Sequence, residues 1–343
     1  MSGNYQQPDY RLVVNGQNIT PRMGKRLLDL RLRESRGEEA DQLDITLDDA
    51  DGRMAIPPKG ATIELHLGWV HSGLVDKGSF VVDETEHSGT PDRVSIRARS
   101  ADMAKALRSR ASHSWHDTTV GQIVRDIAQR NGLPARIDPK LDARPVPHMD
   151  QTNESDLHFC TRLARQHDAV CTVKKGQLVF LRTNSRTTAG GQTLEAMQIT
   201  RTDGDQHRYH TAERTSYTGV RAYWHDGNKA RRTGVLAGTD VDVKNLKDTY
   251  ASADDARAAA QAELQRVARG AATLSLTLAL GRPALMPQTP VTVAGFKPEI
   301  DGAGWLVKSV EHSLGDSGLT TQLEMELQGN GDAEAVADDD GAD

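Results

Sequence analysis

The chain has 343 residues, of which 37% are hydrophobic and 4% aromatic, a composition that favours two or three modest aliphatic cores over one large enzyme core. Its formal net charge of −6 at pH 7 matches the six acidic residues among the last fifteen positions, so the rest of the chain is neutral overall. A neutral body with interspersed charges carries no basic stripe, which argues against a protein that grips nucleic acid phosphates.

Cysteine usage and apolar runs give expectations about the compartment. Two cysteines are far too few for a disulfide scaffold and predict reduced, packed thiols. The N-terminal segment lacks the basic and apolar regions of a signal peptide, and no apolar run approaches the roughly 18 residues that a membrane helix needs. These patterns predict a chain that is synthesised and folded in a cytoplasm, without a membrane segment.

Residues 1–105 are predicted to form a β-domain. Apolar and polar residues alternate in short segments typical of half-buried strands, for example LDITLDD at 43–49 and ATIELHLGW at 61–69. Asn15 and Gly16 separate two short strand-like segments, and both residue types tolerate the positive φ of a type I′ hairpin turn. The spacing of turn residues between the strands is typical of a small barrel or sandwich.

Residues 106–185 are predicted to form a small α/β module, because the apolar period changes there from that of a strand to that of a helix. The segment 118–134 has one apolar helical face, an N-cap at Asp117 or Thr118, and Gly132 just past its end. A strand, a turn and a second strand are predicted at 170–182.

A second helix of this module is predicted at 153–167. Asn153 and Asp156 resemble a capping box, and Glu154 and Asp156 would lie in the first turn, where anions interact favourably with the helix dipole. This placement explains the acidic residues without a carboxylate pair for sugar hydrolysis. An apolar stripe is expected to pack on the strand pair and comprises Leu157, Cys160, Leu163 and Ala164.

Residues 186–328 are predicted to form a second β-domain, with a helix at 252–269. Ser252 and Asp255 form a capping box at the start of that helix. The final segment, 329–343, is acidic, and its apolar residues are four alanines and one valine, which predicts a disordered tail.

No catalytic, cofactor or metal site is predicted. The histidine pairs HSWH at 113–116 and HRYH at 207–210 lack the i, i+4 spacing of a zinc protease and are more simply solvent-facing residues. DDADG at 48–52 lacks the first and last acidic ligands of a calcium loop. The sequence has no nucleophile elbow, phosphate loop or dinucleotide fingerprint.

One helix carries a family resemblance. NESDLHFCTRLARQHDAV resembles the "ESD, apolar, F, two residues, RLA" helix of phage tail hub proteins and of the hub portion of type VI secretion spike proteins. Other segments resemble, in the same order, the late control gene D proteins of contractile-tailed phages and phage-like bacteriocins: PDYRLVVNGQNIT, EADQLDITLDDADG, GATIELHLGW, FVVDETEHSG, RVSIRARSADM and SWHDTTVGQIVRDIAQRNGL. The similarity covers nearly all of residues 8–328.

The resemblance assigns a structural role to this helix. Its motif residues are Glu154, Ser155, Asp156, Leu157, Cys160 and Leu163. Cys160 departs from the family, which more often has Leu there, but a packed thiol fills the same apolar face.

The resemblance implies an α+β fold with two small β-barrel domains and an inserted α/β module, assembling as a trimeric ring. It implies a non-enzymatic baseplate hub of a phage tail or bacteriocin particle that joins the sixfold tail tube to the trimeric central spike. The implied partners are two further copies of the chain, the spike, the tail tube protein, the tape measure and other baseplate proteins. In such hubs the first barrel could receive a strand from beyond the insert, and SYTGVRAYW at 216–224 is the candidate.

A cell-wall carbohydrate-binding module is the alternative. DTTVGQIVRDIAQRNGLP loosely resembles the first helix of a LysM repeat. The segment occurs once, and the chain lacks the aromatic platforms on which sugars stack.

Overall fold

The structure, a computed structural model, describes residues 6–37, 40–100, 107, 109–174, 176–185, 187, 192–211, 217–226, 231–329 and 337–338. Over these residues the chain is mostly β, with 22 strands and six helices. The helices are α1 (Thr20–Met23), α2 (Val120–Arg130), α3 (Pro139–Asp142), α4 (Asp156–Gln166), α5 (Ala253–Gly270) and α6 (Pro298–Asp301).

The first part of the chain is a series of antiparallel strands, as the alternation predicts. They are β1 (Pro8–Val14), β2 (Gln17–Asn18), β3 (Leu27–Ser35), β4 (Gln42–Asp48), β5 (Thr62–Trp69), β6 (Gly73–Ser88) and β7 (Arg93–Ser100). Asn15 and Gly16 connect β1 to β2 with φ of 48° and 79°, so both take the predicted positive φ. One face of β4 is buried through Leu43, Ile45 and Leu47.

The predicted α/β module contains two small sheets and two main helices. Its strands are β8 (Arg110–Thr119), β9 (Ala135–Ile137), β10 (Pro145–Ser155), β11 (Ala169–Lys174) and β12 (Gln177–Arg182). β8 and β10 form an antiparallel ribbon, and β11, β12 and β9 form a three-stranded sheet in which β9 is parallel to β12. The predicted N-cap of α2 is wrong by one or two positions, because the hydroxyl of Thr119 accepts the hydrogen bond from Gln122 N.

The last part of the chain supplies ten strands and α5. The strands are β13 (Met197–Thr200), β14 (Gly204–Thr211), β15 (Gly219–Asp226), β16 (Arg231–Gly238), β17 (Val243–Tyr250), β18 (Ala272–Leu278), β19 (Pro290–Ala294), β20 (Gly304–Gly315), β21 (Gly318–Leu327) and β22 (Ala337–Asp338). The predicted helix at 252–269 is α5, whose N-cap Ser252 accepts from Asp255 N. Ala337 and Asp338 pair with β16, and the rest of the predicted acidic tail beyond Gly329 lies outside the described residues.

The two predicted β-domains share one sheet. Thirteen strands, including β1–β7 and β18–β21, form a continuous sheet in which β3 pairs with β20 from Ser35↔Ser309 to Asp29↔Gly315. This differs from the expectation of two separate barrels, and within the described ranges the pairing does not close into a barrel. An alternating pattern identifies which face of a strand is buried but not which strand lies beside it, so the sequence could not predict this seam.

The strand that the first sheet receives from beyond the module is β20. β15, which contains most of SYTGVRAYW, instead forms a separate small sheet with β16 and β17, covered by alanines of α5. Leu314 of β20 and Leu319 of β21 complete the core of the first part. The expectation that 216–224 would join the first sheet is therefore wrong.

Candidate functional site

The start of α4 differs from the predicted capping box. Ser155 is the N-cap, and its hydroxyl accepts from His158 N at 3.3 Å. Asn153 lies instead in a bulge of β10 with φ of 48°. Asn153 and Ser155 are both residue types that commonly cap helices, so the local sequence fits either start. The predicted N-cap is therefore two residues too early.

Glu154 also lies on β10 and not in the first helical turn. Its carboxylate accepts from Arg162 Nη2 at 2.9 Å and lies 2.7 Å from His158 Nδ1. These contacts fasten the ribbon strand to the outer face of α4.

Asp156 is buried at the meeting point of α2, β10 and α4. Its side chain is 5% exposed, and four donors surround its two oxygens. Arg130 Nη2 donates at 2.5 Å and Arg130 Nε at 3.1 Å, Asn131 Nδ2 at 2.7 Å and Gln151 Nε2 at 2.8 Å. The carboxylate therefore ties three elements together, whereas the sequence predicted only a favourable charge near the helix dipole.

The buried face of α4 differs from the predicted stripe at one position and gains another. Cys160, Leu163 and Ala164 are buried as predicted, but Leu157 is only half-buried. Phe159 is fully buried instead and stacks near Trp115 of β8, with 6.3 Å between ring centroids. The helix thus packs against the ribbon as well as against the strand pair.

We expect Asp156→Asn to lower the free energy of unfolding by about 2–4 kcal/mol, because the new amide group would face two of the four donors. This exceeds the loss of about 1 kcal/mol expected of a simple cap. Urea denaturation would measure the change. Glu154→Gln, which alters a carboxylate with partly exposed partners, is the matched control, and equal small losses for both variants would contradict the buried network.

A groove of 920 Å³ separates α4 from α5 and β17. Leu157 and Arg162 line the α4 side, and Tyr250 and Glu263 line the other side. Arg266 closes one end by donating from Nη2 to Arg165 O at 2.9 Å. Leu157 is half-buried because it lies at the edge of the module's core, where it also lines this groove.

A buried ion cluster joins all three parts of the chain beyond the groove. Arg269 of α5, 4% exposed, donates to both carboxylate oxygens of Asp168 at 2.6 and 2.5 Å and to Glu326 of β21 at 3.0 Å. Arg36, just after β3, donates to the same Glu326 oxygen at 2.5 Å. Asp168 follows α4 with φ of 46°.

A second buried cluster lies at the seam between the two halves of the large sheet. Lys77 of β6 pairs with Glu34 of β3 at 2.5 Å and donates to Pro283 O at 3.1 Å. His312 of β20 is fully buried beside them, with its Nδ1 2.9 Å from Thr321 Oγ1. Burial and the neighbouring Lys77 ammonium hold the pKa of His312 well below its usual value.

The buried His312 and the half-buried His167 should make the fold less stable in mild acid. Burial and the Arg144 guanidinium lower the pKa of His167 to about 4, and the pKa of His312 is also lowered. An unfolded histidine gains a proton below about pH 6.5 while the folded one stays neutral, so unfolding takes up protons and stability falls from there toward pH 4. Urea denaturation at pH 7, 6 and 5 would show the slope, and His167→Gln should reduce it; an unchanged slope in that variant would contradict this origin.

The predicted thiols are buried, and the predicted histidine pairs lie on exposed strand positions. Cys160 and Cys171 are both buried and free, and the hydrogen bond between them raises the pKa of Cys160, as burial also does. Within the described part of the chain, no group of three or more His, Cys, Asp or Glu side chains is arranged to hold a metal ion jointly. His207 and His210 lie along the exposed strand β14.

Sequence reasoning missed Arg130, Phe159 and Arg269. Arg130 ends the predicted first helix, where a basic residue suits the dipole, and no pattern points to a partner 26 positions later. Arg269 ends α5 in the same way. Phe159 alone had a usable signal, because an aromatic residue amid an apolar stripe is rarely left exposed.

Comparisons with known proteins agree over most of the chain. Residues 24–318 match the family described as phage tail baseplate hub (GPD). A relative from Escherichia phage 186, named as a baseplate hub protein, is 43% identical, with 95% of each chain covered. None of the described helices is long and apolar enough to cross a membrane.

Solved structures share the fold at low identity. A 43 kDa tail protein of prophage MuSo2 from Shewanella oneidensis has a TM-score of 0.69 at 16% identity, covering 93% of this chain and 98% of its own. A component of the type VI secretion system from E. coli has a TM-score of 0.57 at 16% identity, covering 92% of this chain and 76% of its own. At such identities the likeness concerns the fold alone.

Proposed function

This chain belongs to the phage tail baseplate hub family, and from that premise we propose that three copies of it form a ring that joins the tail tube to the central spike. The chain is a structural protein of the tail baseplate. The observation that carries the proposal is the near full-length identity of 43% to a baseplate hub protein, which spans the strands, the module and α5 together.

The internal contacts suit a part that bears load between two assemblies. The Arg269 cluster connects the α/β module to both halves of the sheet through buried, charge-assisted hydrogen bonds. The Lys77 cluster connects β6, β3 and β20. A hub with these ties would transmit force between tube and spike as one body.

Separate cores support the proposed division of the chain. One apolar cluster is centred on β1–β7, a second fills the α/β module, and a third lies under β18–β21. We place the divisions near residues 105, 185 and 328, with two similar β-units that would give a threefold ring six related contact surfaces. In this arrangement the motif from Glu154 to Leu163 is architectural.

Light scattering on the purified chain, alone and mixed with the spike protein of the same particle, tests the ring. The expected mass in the mixture includes three times the 37.4 kDa of one chain. An unrelated trimeric protein in place of the spike is the control and should leave the mass distribution unchanged.

A monomer that persists with the spike would contradict the proposal. The same preparation can be sedimented with peptidoglycan to test the alternative. Saturable binding there, together with no spike complex, would favour the carbohydrate-binding module instead.

A further inference from the structure

Four polar side chains form a square on the outer face of the β8/β10 ribbon. Ser114 and His116 lie two residues apart on β8 and pair directly with Asp150 and His148 of β10. Because side chains alternate along a strand, all four project from one face, while Trp115 points into the module's core. The square includes His116 of the HSWH segment noted in the sequence, but not His113.

The two histidines of the square meet through the same ring nitrogen. His116 Nδ1 and His148 Nδ1 are 3.1 Å apart, and the ring centroids are 4.7 Å apart. At this distance one nitrogen carries a proton and the other accepts the hydrogen bond. Both Nδ1 atoms therefore face the same point between the two rings. Both rings are exposed, which leaves this point open to solvent.

The separation of the two nitrogens suits a shared transition metal. With metal–nitrogen bonds of about 2.0–2.1 Å, nitrogens 3.1 Å apart subtend an angle of roughly 98° at the metal. This lies between the angles of about 90° and about 109° in square or octahedral and tetrahedral coordination. The distance between the two nitrogens therefore matches that of adjacent ligands on one ion.

Asp150 sets the tautomer that binding needs. Its Oδ2 lies 3.2 Å from His148 Nε2, and the same carboxylate also accepts from the Ser114 hydroxyl. A carboxylate on Nε2 holds the proton there and leaves Nδ1 with its lone pair, as carboxylates do behind metal-bound histidines. His116 would pass its Nδ1 proton to solvent or carry it on Nε2.

Other charges near the square leave the ligand point free. Arg162 donates to the backbone oxygen of Asp150 at 2.8 Å and is paired with Glu154. His158 is also paired with Glu154, through the carboxylate oxygen that Arg162 Nη2 does not contact. The Arg162 guanidinium and the His158 ring thus have partners of their own, and these contacts involve neither Nδ1 atom of the square.

We propose that His116 and His148 form a surface site for one divalent transition metal ion, with Asp150 and Ser114 as supporting residues and water completing the coordination. Imidazole ligands favour Cu²⁺, Ni²⁺ and Zn²⁺, with Cu²⁺ bound most tightly, over the oxygen-seeking Mg²⁺ and Ca²⁺. The site belongs to the ribbon of a single chain and does not depend on the proposed ring.

Titration calorimetry on the chain without an affinity tag tests the site, with Cu²⁺, Ni²⁺ and Zn²⁺ as ligands and Mg²⁺ and Ca²⁺ as controls. We expect one ion per chain, tightest for Cu²⁺, and loss of this binding in both His116→Gln and His148→Gln. Asp150→Asn should weaken the affinity by about 10–100-fold, the usual effect of removing a carboxylate behind a metal-bound histidine.

His158→Gln and His210→Gln are matched controls, since each removes an exposed histidine outside the square, and both should bind as the original chain does. The nitrogen hyperfine pattern of Cu²⁺ bound to the original chain should show two imidazoles, and this signal should be absent from both ligand variants. Binding that survives in the His116→Gln, His148→Gln double variant, or no saturable binding in the original chain, would overturn the proposal.

Discussion

Replacing Arg269 by alanine is expected to lower the free energy of unfolding by about 3–5 kcal/mol, the usual cost of removing one partner from a buried ion pair. The substitution leaves Asp168 without its two-point partner and Glu326 with Arg36 alone. Because the cluster joins three parts of the chain, the variant should also lose cooperativity, so that the module and the sheet unfold at different urea concentrations.

Urea denaturation followed by both fluorescence and circular dichroism would measure this change. Arg257→Ala is the matched control, since Arg257 lies on the same helix in a more exposed pair with Asp254, and its loss should cost less than about 1 kcal/mol. If Arg269→Ala were no more costly than the control, the buried cluster would not be what joins the parts.

Phe159→Ala is expected to lower the free energy of unfolding by about 3–5 kcal/mol, because it removes a fully buried ring and leaves a cavity beside Trp115. Leu157→Ala on the same helix should cost less than about 2 kcal/mol, since that side chain is half-buried at the groove. Thermal and urea unfolding of the two variants would compare them. A larger loss for Leu157→Ala than for Phe159→Ala would contradict this packing and favour the apolar stripe that the sequence predicted.

Assembly offers an independent readout for the same two variants. If α4 is architectural, the amount of hub incorporated into tails should fall with stability, more for Phe159→Ala than for Leu157→Ala. A stable variant that fails to assemble would instead point to a contact surface at that residue.

Local patterns predicted the elements well because each depends on nearby residues. Alternation in β4 and the serine before α5 depend on neighbours within four positions, and the structure has both. The start of α4 was placed less accurately because two overlapping caps fit the sequence equally. Its buried face includes Phe159 in place of Leu157, and the sequence could not show this because the ribbon that Phe159 contacts comes from a strand more than 40 positions earlier.

The contacts that hold the parts together could not be predicted. Arg269 meets Asp168 across 101 positions, and Arg36 meets Glu326 across 290. A single sequence carries no periodic signal for pairs at such separations. Each of these charged residues is therefore expected, by its type, to lie on the surface. The contact between His116 and His148 could not be predicted either, because only the register of the β8/β10 ribbon brings the two positions together.

The pairing of β3 with β20 governs when the chain can fold. Residues 29–35 must wait for residues 309–315 before their sheet is complete, and Leu314 and Leu319 are needed to fill the first core. During synthesis the inserted module can therefore mature first, while the N-terminal strands remain with an open edge until the ribosome has nearly finished. Such late, long-range closure slows folding and exposes strand edges to other nascent chains, which makes the final stage of translation the period of greatest aggregation risk.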